Sequence, residues 1–334
     1  MPEHRLIATE EHVATEAFLR TAHELEVLPS DRVEVELMRT VENEDVWHRA
    51  LVDLDARLAV MDACGQDLAL LSLNPPGVQP YRAADAEALA RSFNDELAEI
   101  VRQHPGRFAG LGTVAPQDPE SAGAEIERVM GPLRLSGIMI NSHTAGHYLD
   151  EPQFTPLLEA AQEHRATIYL HPRIPSMAAP YSQYGMTAAI WGYQAEAGLH
   201  AMRLILSGTF DRFPGLTFVL GHLGEGIPYW LRRIDNRHAF AQRVAGATTV
   251  MPKLERAPSE YFRRNFVITT SGMDDPDVLA LALRAIGDEN VMLAIDHPYE
   301  DSEQALAFLR EAPLTDTQRA NIAHRTAERA FVLH

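Results

Sequence analysis

Residues 7–15 read IATEEHVAT, and the reading of this stretch decides the reading of the chain. An apolar start runs directly into Glu10, Glu11 and His12. If the stretch is a β-strand, successive side chains point to opposite faces. Glu10 and His12 then share one face, and Glu11 takes the other. The triplet is either a solvated strand end or the first corner of a metal site. The rest of the sequence weighs between them.

Outward from this stretch, short apolar runs alternate with helical patterns. The runs are RLIATE (5–10), DLALLSL (67–73), FAGLGTV (108–114), SGIMIN (136–141), TIYLH (167–171), TFVLGH (217–222), NFVITTS (265–271) and VMLAID (291–296). Continuous apolar runs of this length suit parallel strands buried on both faces. Helical spacing covers 83–103, 118–131, 153–163, 196–207, 226–245, 275–286 and the stretch from about 302 onward. Eight strands alternating with helices predict an α/β fold, a (β/α)8 barrel over residues 1–334 as one domain. Residues 13–50 do not fit the alternation. They predict an insertion over the catalytic face, with Trp47 in its own small core. Residues 302–334 predict a helical tail.

Barrel chemistry sits at the C-terminal ends of strands. Strand one ends on Glu10-Glu11-His12, strand five on His171, strand six on His222 and strand eight on Asp296. One histidine at a strand end is ordinarily structural, but ionisable groups on four such ends point to a site. Glu10, His12, His171 and Asp296 form an N/O donor set suited to one divalent ion, Mn2+ or Zn2+. Glu225 follows His222 by three residues. It either orients that ring, as carboxylates do for catalytic imidazoles, or favours a helix N-terminus.

Composition narrows the partners. The 334 residues carry a formal charge of −18, which argues against nucleic acid. An anionic substrate would need local arginines to enter. Cys64 is the only cysteine, so no intrachain disulfide can form. The N-terminus shows no signal-length apolar run and no stretch is long enough to span a membrane, so a cytoplasmic location is expected.

The pattern resembles the amidohydrolase superfamily, in its branch of metal-dependent non-oxidative decarboxylases acting on γ-resorcylate, 2,3-dihydroxybenzoate, 5-carboxyvanillate and aminocarboxymuconate semialdehyde. The carriers are ATEEHVAT (8–15), RLAVMDACG (57–65), LSLNPPGVQP (71–80), LGTVAPQDPE (111–120), GIMINSHTAGHYLDE (137–151), YLHPR (169–173), the run 208–235 around GHLGEG, ITTSG (268–272) and AIDHPYED (294–301). The resemblance implies that Glu10, His171 and Asp296 are metal ligands and His12 a further one, matching only some members. It implies that His222 stands behind the metal site with Glu225 as acidic companion, and that Arg57 and Arg233 bind substrate. His297 departs from the family, which has an aromatic residue there. The family assembles as dimers or tetramers, so a homodimer or homotetramer is expected. The apolar stretch 176–195 is a loop that could cross an interface.

Direct loss of CO₂ from an aromatic acid would leave an aryl carbanion. An ortho hydroxyl avoids this, because protonating the carboxyl-bearing carbon first gives a ketone-like intermediate that regains aromaticity on losing CO₂. Asp296 is the expected proton donor, and His222 would tune it. Arg57 and Arg233 would neutralise the small aromatic acid, with Asn141 and Arg173 as further substrate contacts. Each has a structural alternative: a surface ion pair for Arg57, Arg232 in place of Arg233, a cap for Asn141, a loop brace for Arg173. Trp191 and Tyr193 either wall an aromatic pocket or pack. The rival activities are a metal-dependent, lactonase-like hydrolase with Asp296 as general base, and a non-catalytic binding protein.

Overall fold

The computed structural model describes residues 4–244 and 252–334. Eight parallel strands pair in sequence order: β1 (Ile7–Val13), β2 (Leu68–Leu73), β3 (Phe108–Thr113), β4 (Gly137–Asn141), β5 (Ile168–His171), β6 (Phe218–Leu220), β7 (Phe266–Thr269) and β8 (Val291–Met292). Every strand residue is buried, as the continuous apolar runs require. The polypeptide after β8 leaves regular strand geometry but still tracks β1. Thr9 N donates to Leu293 O at 3.1 Å, Asp296 N to Glu10 O at 2.9 Å and His12 N to His297 O at 2.8 Å, which closes the (β/α)8 barrel.

Alternation sorts the strand residues into two layers. Ile7, Leu68, Leu70, Leu111, Met139, Tyr169, Val219, Val267 and Met292 fill the barrel interior. Their neighbours, such as Ala69, Leu71, Ile138 and Leu170, face the outer helices. Gly112 lets the Pro119–Met130 helix close on β3, since a Cβ there would stand 2.6 Å from a Val129 methyl. The tail plugs the barrel floor with Ala327 and Phe331, and Val332 N donates to Ser136 O.

β1 carries a bulge. Ala8 pairs with Ala69 but Glu11 pairs with Leu71, so one extra residue lies between them. Strict alternation from the inward Ile7 would have turned Glu10 and His12 outward. The bulge resets the parity and delivers both to the interior.

The stretch after β1 forms three helices, Glu16–Glu24, Arg32–Glu42 and Asp45–Val52, before the Leu54–Cys64 helix that carries Arg57. Trp47 does not belong to a core of the insertion alone: its ring stacks on Tyr299, from the loop after β8, at 5.6 Å. The pattern at 226–245 becomes the helix Ile227–Val244, and position 245 lies outside the described residues. Among the described residues no helix is long and apolar enough to cross a membrane.

Candidate active site

Glu10, His12, His171 and Asp296 meet at the C-terminal end of the barrel, with one ligand atom from each within 4.8 Å of all the others. His12 Nε2 is 3.1 Å from Asp296 Oδ1, and His171 Nε2 is 3.4 Å from Glu10 Oε1. Metal bonds of about 2.0–2.2 Å put adjacent donors about 3 Å apart and opposed donors about 4.4 Å apart, so this spacing fits one ion. Glu10 Oε1, His12 Nε2 and Asp296 Oδ1 are buried without a hydrogen-bond partner. Folded chains pair their buried polar atoms, so three unpaired atoms converging on one point fit a cation.

The groups behind the donors fix which atoms face the centre of the cluster. The Pro172 carbonyl, 2.7 Å from His171 Nδ1, can only accept, so Nε2 is left as the lone pair. Ser72 Oγ stands 3.4 Å from His12 Nδ1. The Tyr169 hydroxyl donates to Glu10 Oε2 at 2.5 Å, leaving Oε1 free. Burial pushes His12 down to about 4 and His171 down to about 3, so both rings are neutral and able to ligate. Burial opposes the Glu10 charge, but His222, His171 and His12 outweigh it and hold the carboxyl below its usual range. Asp296 goes the other way: burial and then the Glu10 charge raise it well above the usual range. A bound cation would draw it back down.

His222 follows β6 in an unusual backbone. His222, Leu223, Gly224, Glu225 and Gly226 all have positive φ, from 49° to 80°. This is a left-handed turn, which costs roughly 1–2 kcal/mol at each non-glycine residue. It brings His222 Nδ1 to 2.8 Å from Glu225 Oε1. Glu225 therefore belongs to the turn and not to the next helix, which starts at Ile227. Burial opposes charge on His222, but Glu225 pushes the imidazolium up to about 10.

His171, His222 and Asp296 open onto a cavity of about 400 Å³. Leu37, Met38 and Val41 of the Arg32–Glu42 helix wall one side, with Pro75, Ala188, Ala189, Tyr193, Met273 and Tyr299 around the rest. Among the described residues its polar lining includes Gln194 and Glu300 and no arginine or lysine. A four-donor cluster suited to a cation, a histidine–carboxylate pair and a mostly apolar chamber thus meet at one end of the barrel.

A family profile described as Amidohydrolase matches residues 18–333. The 5-carboxyvanillate decarboxylase of Sphingomonas paucimobilis superposes with a TM-score of 0.91 at 45% identity, covering 99% of this chain and 100% of that one. The chain belongs to the amidohydrolase family. A 5-carboxyvanillate decarboxylase of Novosphingobium aromaticivorans, solved with manganese and 4-hydroxy-3-methoxy-5-nitrobenzoic acid, superposes at 0.90 with 34% identity over 98% of this chain and 96% of that one. A γ-resorcylate decarboxylase of Polaromonas sp. is 35% identical, covering 85% of this chain and 89% of the relative. These relatives place this amidohydrolase in the decarboxylase branch, and it is an enzyme.

None of the four residues expected to contact substrate, Arg57, Arg233, Asn141 and Arg173, lines this cavity. Arg57 is buried behind β1, where it donates to the His12 carbonyl and stands 3.7 Å from Glu11. It sits on the side of the strand opposite Glu10 and His12, because Glu11 points outward. Arg173 is enclosed by Asp31, Glu34 and the His143 carbonyl, so it braces loops. Asn141 ends β4 and is buried, its backbone clamped by Gln79 (Asn141 N to Gln79 Oε1 2.6 Å, Gln79 Nε2 to Asn141 O 2.9 Å), and it does not line the cavity. Arg232 and Arg233 are both exposed on the Ile227–Val244 helix, and neither lines the cavity. Tyr193 walls the cavity, whereas Trp191 is 60% exposed. His297 Nδ1 stands 3.4 Å from Ser302 Oγ, and the residue does not line the cavity.

Two residues were missed. Tyr169 lies two positions before His171, so the alternation that turned His171 inward also turns Tyr169 toward Glu10. Tyr299 reaches the cavity from HPYED, with its hydroxyl donating to Asn74 Oδ1 at 2.6 Å. No periodic signal marks it.

Proposed function

We propose that this amidohydrolase is a divalent-metal-dependent, non-oxidative decarboxylase of an ortho-hydroxy aromatic carboxylic acid of the 5-carboxyvanillate or dihydroxybenzoate type. The carrying observation is the four-donor cluster opening, beside Asp296 and His222, onto a ring-sized apolar chamber. Manganese is the proposed ion, since the Novosphingobium enzyme holds it.

Glu10, His12, His171 and Asp296 would hold the ion, which when bound would supply Lewis acidity and neutralise the carboxylate and phenolate oxygens. The chamber wall orients the ring. Asp296, facing both the donor cluster and the chamber, gives its proton to the carboxyl-bearing carbon. The ring–carboxyl bond then breaks, its electron pair restores the aromatic ring, and CO₂ leaves. Asp296 is left as a carboxylate for reprotonation. His222, charged through Glu225, stabilises that carboxylate.

The second carboxylate of a 5-carboxyvanillate-type substrate needs a cation, and among the described residues the chamber's own lining has no arginine or lysine. Arg233 can serve only if a neighbouring copy presents it. Tyr184, Ile190 and Trp191 on the loop after β5, and Tyr229 and Trp230 near Arg233, are exposed apolar side chains suited to that contact. We infer that the working form is a homodimer or homotetramer, and from the single cysteine, Cys64, that it works in the reducing cytoplasm, each chain acting as one barrel unit.

The test supplies Mn²⁺ with 5-carboxyvanillate, 2,6- and 2,3-dihydroxybenzoate and salicylate in D₂O. CO₂ release with deuterium at the vacated ring carbon is expected from at least one acid. Ring opening by water would establish the lactonase-like hydrolase instead. Asp296→Asn should end turnover while an unreactive nitro analogue still binds.

A further inference from the structure

The Arg32–Glu42 helix is tied at both ends to loops that carry the catalytic groups. At its start, Asp31 and Glu34 grip Arg173, two residues past His171. Arg173 Nε donates to Glu34 Oε2 at 2.9 Å, its Nη2 donates to Asp31 and Glu34, and its Nη1 donates to the His143 carbonyl at 3.0 Å. Ile174 N adds a bond to Glu34 Oε1 at 2.8 Å. At the helix end, Glu42 Oε1 accepts from Asn74 Nδ2 at 3.2 Å, and Asn74 accepts from Tyr299. Tyr299 N in turn bonds the Asp296 carbonyl at 2.8 Å. Between the clasps, Leu37, Met38 and Val41 face the chamber.

Burying one guanidinium with two carboxylates is poor economy for stability alone. Such clusters cost several kcal/mol of desolvation per ion, and apolar replacements of similar volume are often as stable. Their best-attested benefit is register, because a bidentate fork accepts one geometry where an apolar contact slides. Here the register that matters is between the chamber wall and the metal-bearing strand ends. A helix shifted by a fraction of a turn would replace Leu37, Met38 and Val41 with polar neighbours such as Glu36 and Thr40.

We propose that Arg173 is a positioning residue for substrate specificity: through Asp31 and Glu34 it holds the Arg32–Glu42 helix in the register that makes it the ring-facing wall. It touches neither substrate nor metal. The proposal rests on the decarboxylase reading for its kinetic arm and is independent of it for its structural arm.

The experiment compares the Mn²⁺-loaded wild type with Arg173→Met, Arg173→Lys and the charge-free triple Arg173→Met/Asp31→Asn/Glu34→Leu. The triple leaves no buried charge unpaired, so it keeps the question open to test should Arg173→Met not fold. KM and kcat are measured on 5-carboxyvanillate and 2,6-dihydroxybenzoate, with metal content and hydrogen exchange. In the triple, KM for the preferred acid should rise about tenfold with kcat within about threefold and metal content unchanged. Exchange should quicken at 32–42 and stay slow at 168–171. Arg173→Lys, retaining the charge without the fork, should fall between. A folded triple with wild-type KM and unchanged exchange at 32–42 overturns the proposal. Loss of metal or kcat with KM intact also overturns it, by placing the role of Arg173 at His171. If the wild type decarboxylates none of the acids, the functional reading fails, and the exchange at 32–42 alone decides the latch.

Discussion

Tyr169→Phe separates the support of Glu10 from the ligand itself. The Tyr169 hydroxyl and the Glu10 carboxylate are both 0% exposed, and their 2.5 Å bond makes Oε1 the oxygen left for the ion. A hydrogen bond to a charged group contributes about 1.5–3 kcal/mol. Phenylalanine fills the same ring volume, so no cavity adds to the cost. Thr269 Oγ1, 3.5 Å from the same carboxylate oxygen, recovers part of the loss. The carboxylate also gains freedom to turn toward Thr269 and a higher affinity for protons, both of which compete with metal. The net is about 1.4–2 kcal/mol, or roughly 10–30-fold weaker binding at 1.4 kcal/mol per decade. The assay titrates metal-free enzyme with Mn²⁺ against a competing chelator, reading free Mn²⁺ by paramagnetic resonance. Activity is then measured at saturating Mn²⁺, where kcat should lie within about threefold of wild type. An unchanged Kd would refute the support role. So would a kcat lowered about 100-fold at full occupancy, since that would place the hydroxyl in the chemistry.

Three further outcomes follow from the packing. Arg57→Met should cost about 3 kcal/mol in urea unfolding at pH 9, the low end for a broken buried pair, because Glu11, pushed up to about 8 by burial, is charged at that pH beside Arg57 and escapes by taking a proton once Arg57 is gone. Arg57→Met/Glu11→Leu should regain most of it, and a double variant no more stable than the single one would contradict the pairing. His200 is buried and pushed down to about 3 from an ordinary 6.5, its Nε2 accepting from Leu149 N. Below pH 6.5 the unfolded chain binds a proton there that the folded chain refuses until about pH 3, so stability falls with falling pH across that window. His200→Gln should therefore flatten the slope of stability between pH 6 and 4 by about 1.4 kcal/mol per unit, and an identical slope would rule this out. Gly112→Ala drives a methyl into Val129 and should lower stability by about 1–3 kcal/mol, where an unchanged melting temperature would show that the helix gives way freely.

What the sequence could and could not show divides along one physical line. Strand residues obey a period of two, so the ends of eight apolar runs located the barrel and placed Glu10, His12, His171 and Asp296 at one end. Even there the success had a hidden condition. The alternation from Glu10 to His12 holds locally, but only the bulge after Ala8 turns that pair inward relative to Ile7. Arg57, Arg173 and Arg233 lie on helices and loops, where no short period fixes direction and a long flexible side chain reaches either way. All three carry the charge an anionic substrate requires, which made them candidates. The structure spends two of them on buried carboxylates of the insertion and of β1, and leaves the third on the surface. The carboxylates that claim Arg173, Asp31 and Glu34, lie about 140 residues away in sequence, so no local pattern could announce them. Still longer separations explain Tyr299, whose value depends on Asn74 and Trp47 arriving from two other segments. Strand-end side chains in such a barrel are legible because the strand's alternation aims them, and side chains on the loops and helices around the chamber are not, because no such alternation does. A substrate assignment from strand-end motifs alone will therefore reach the reaction before it reaches the ring.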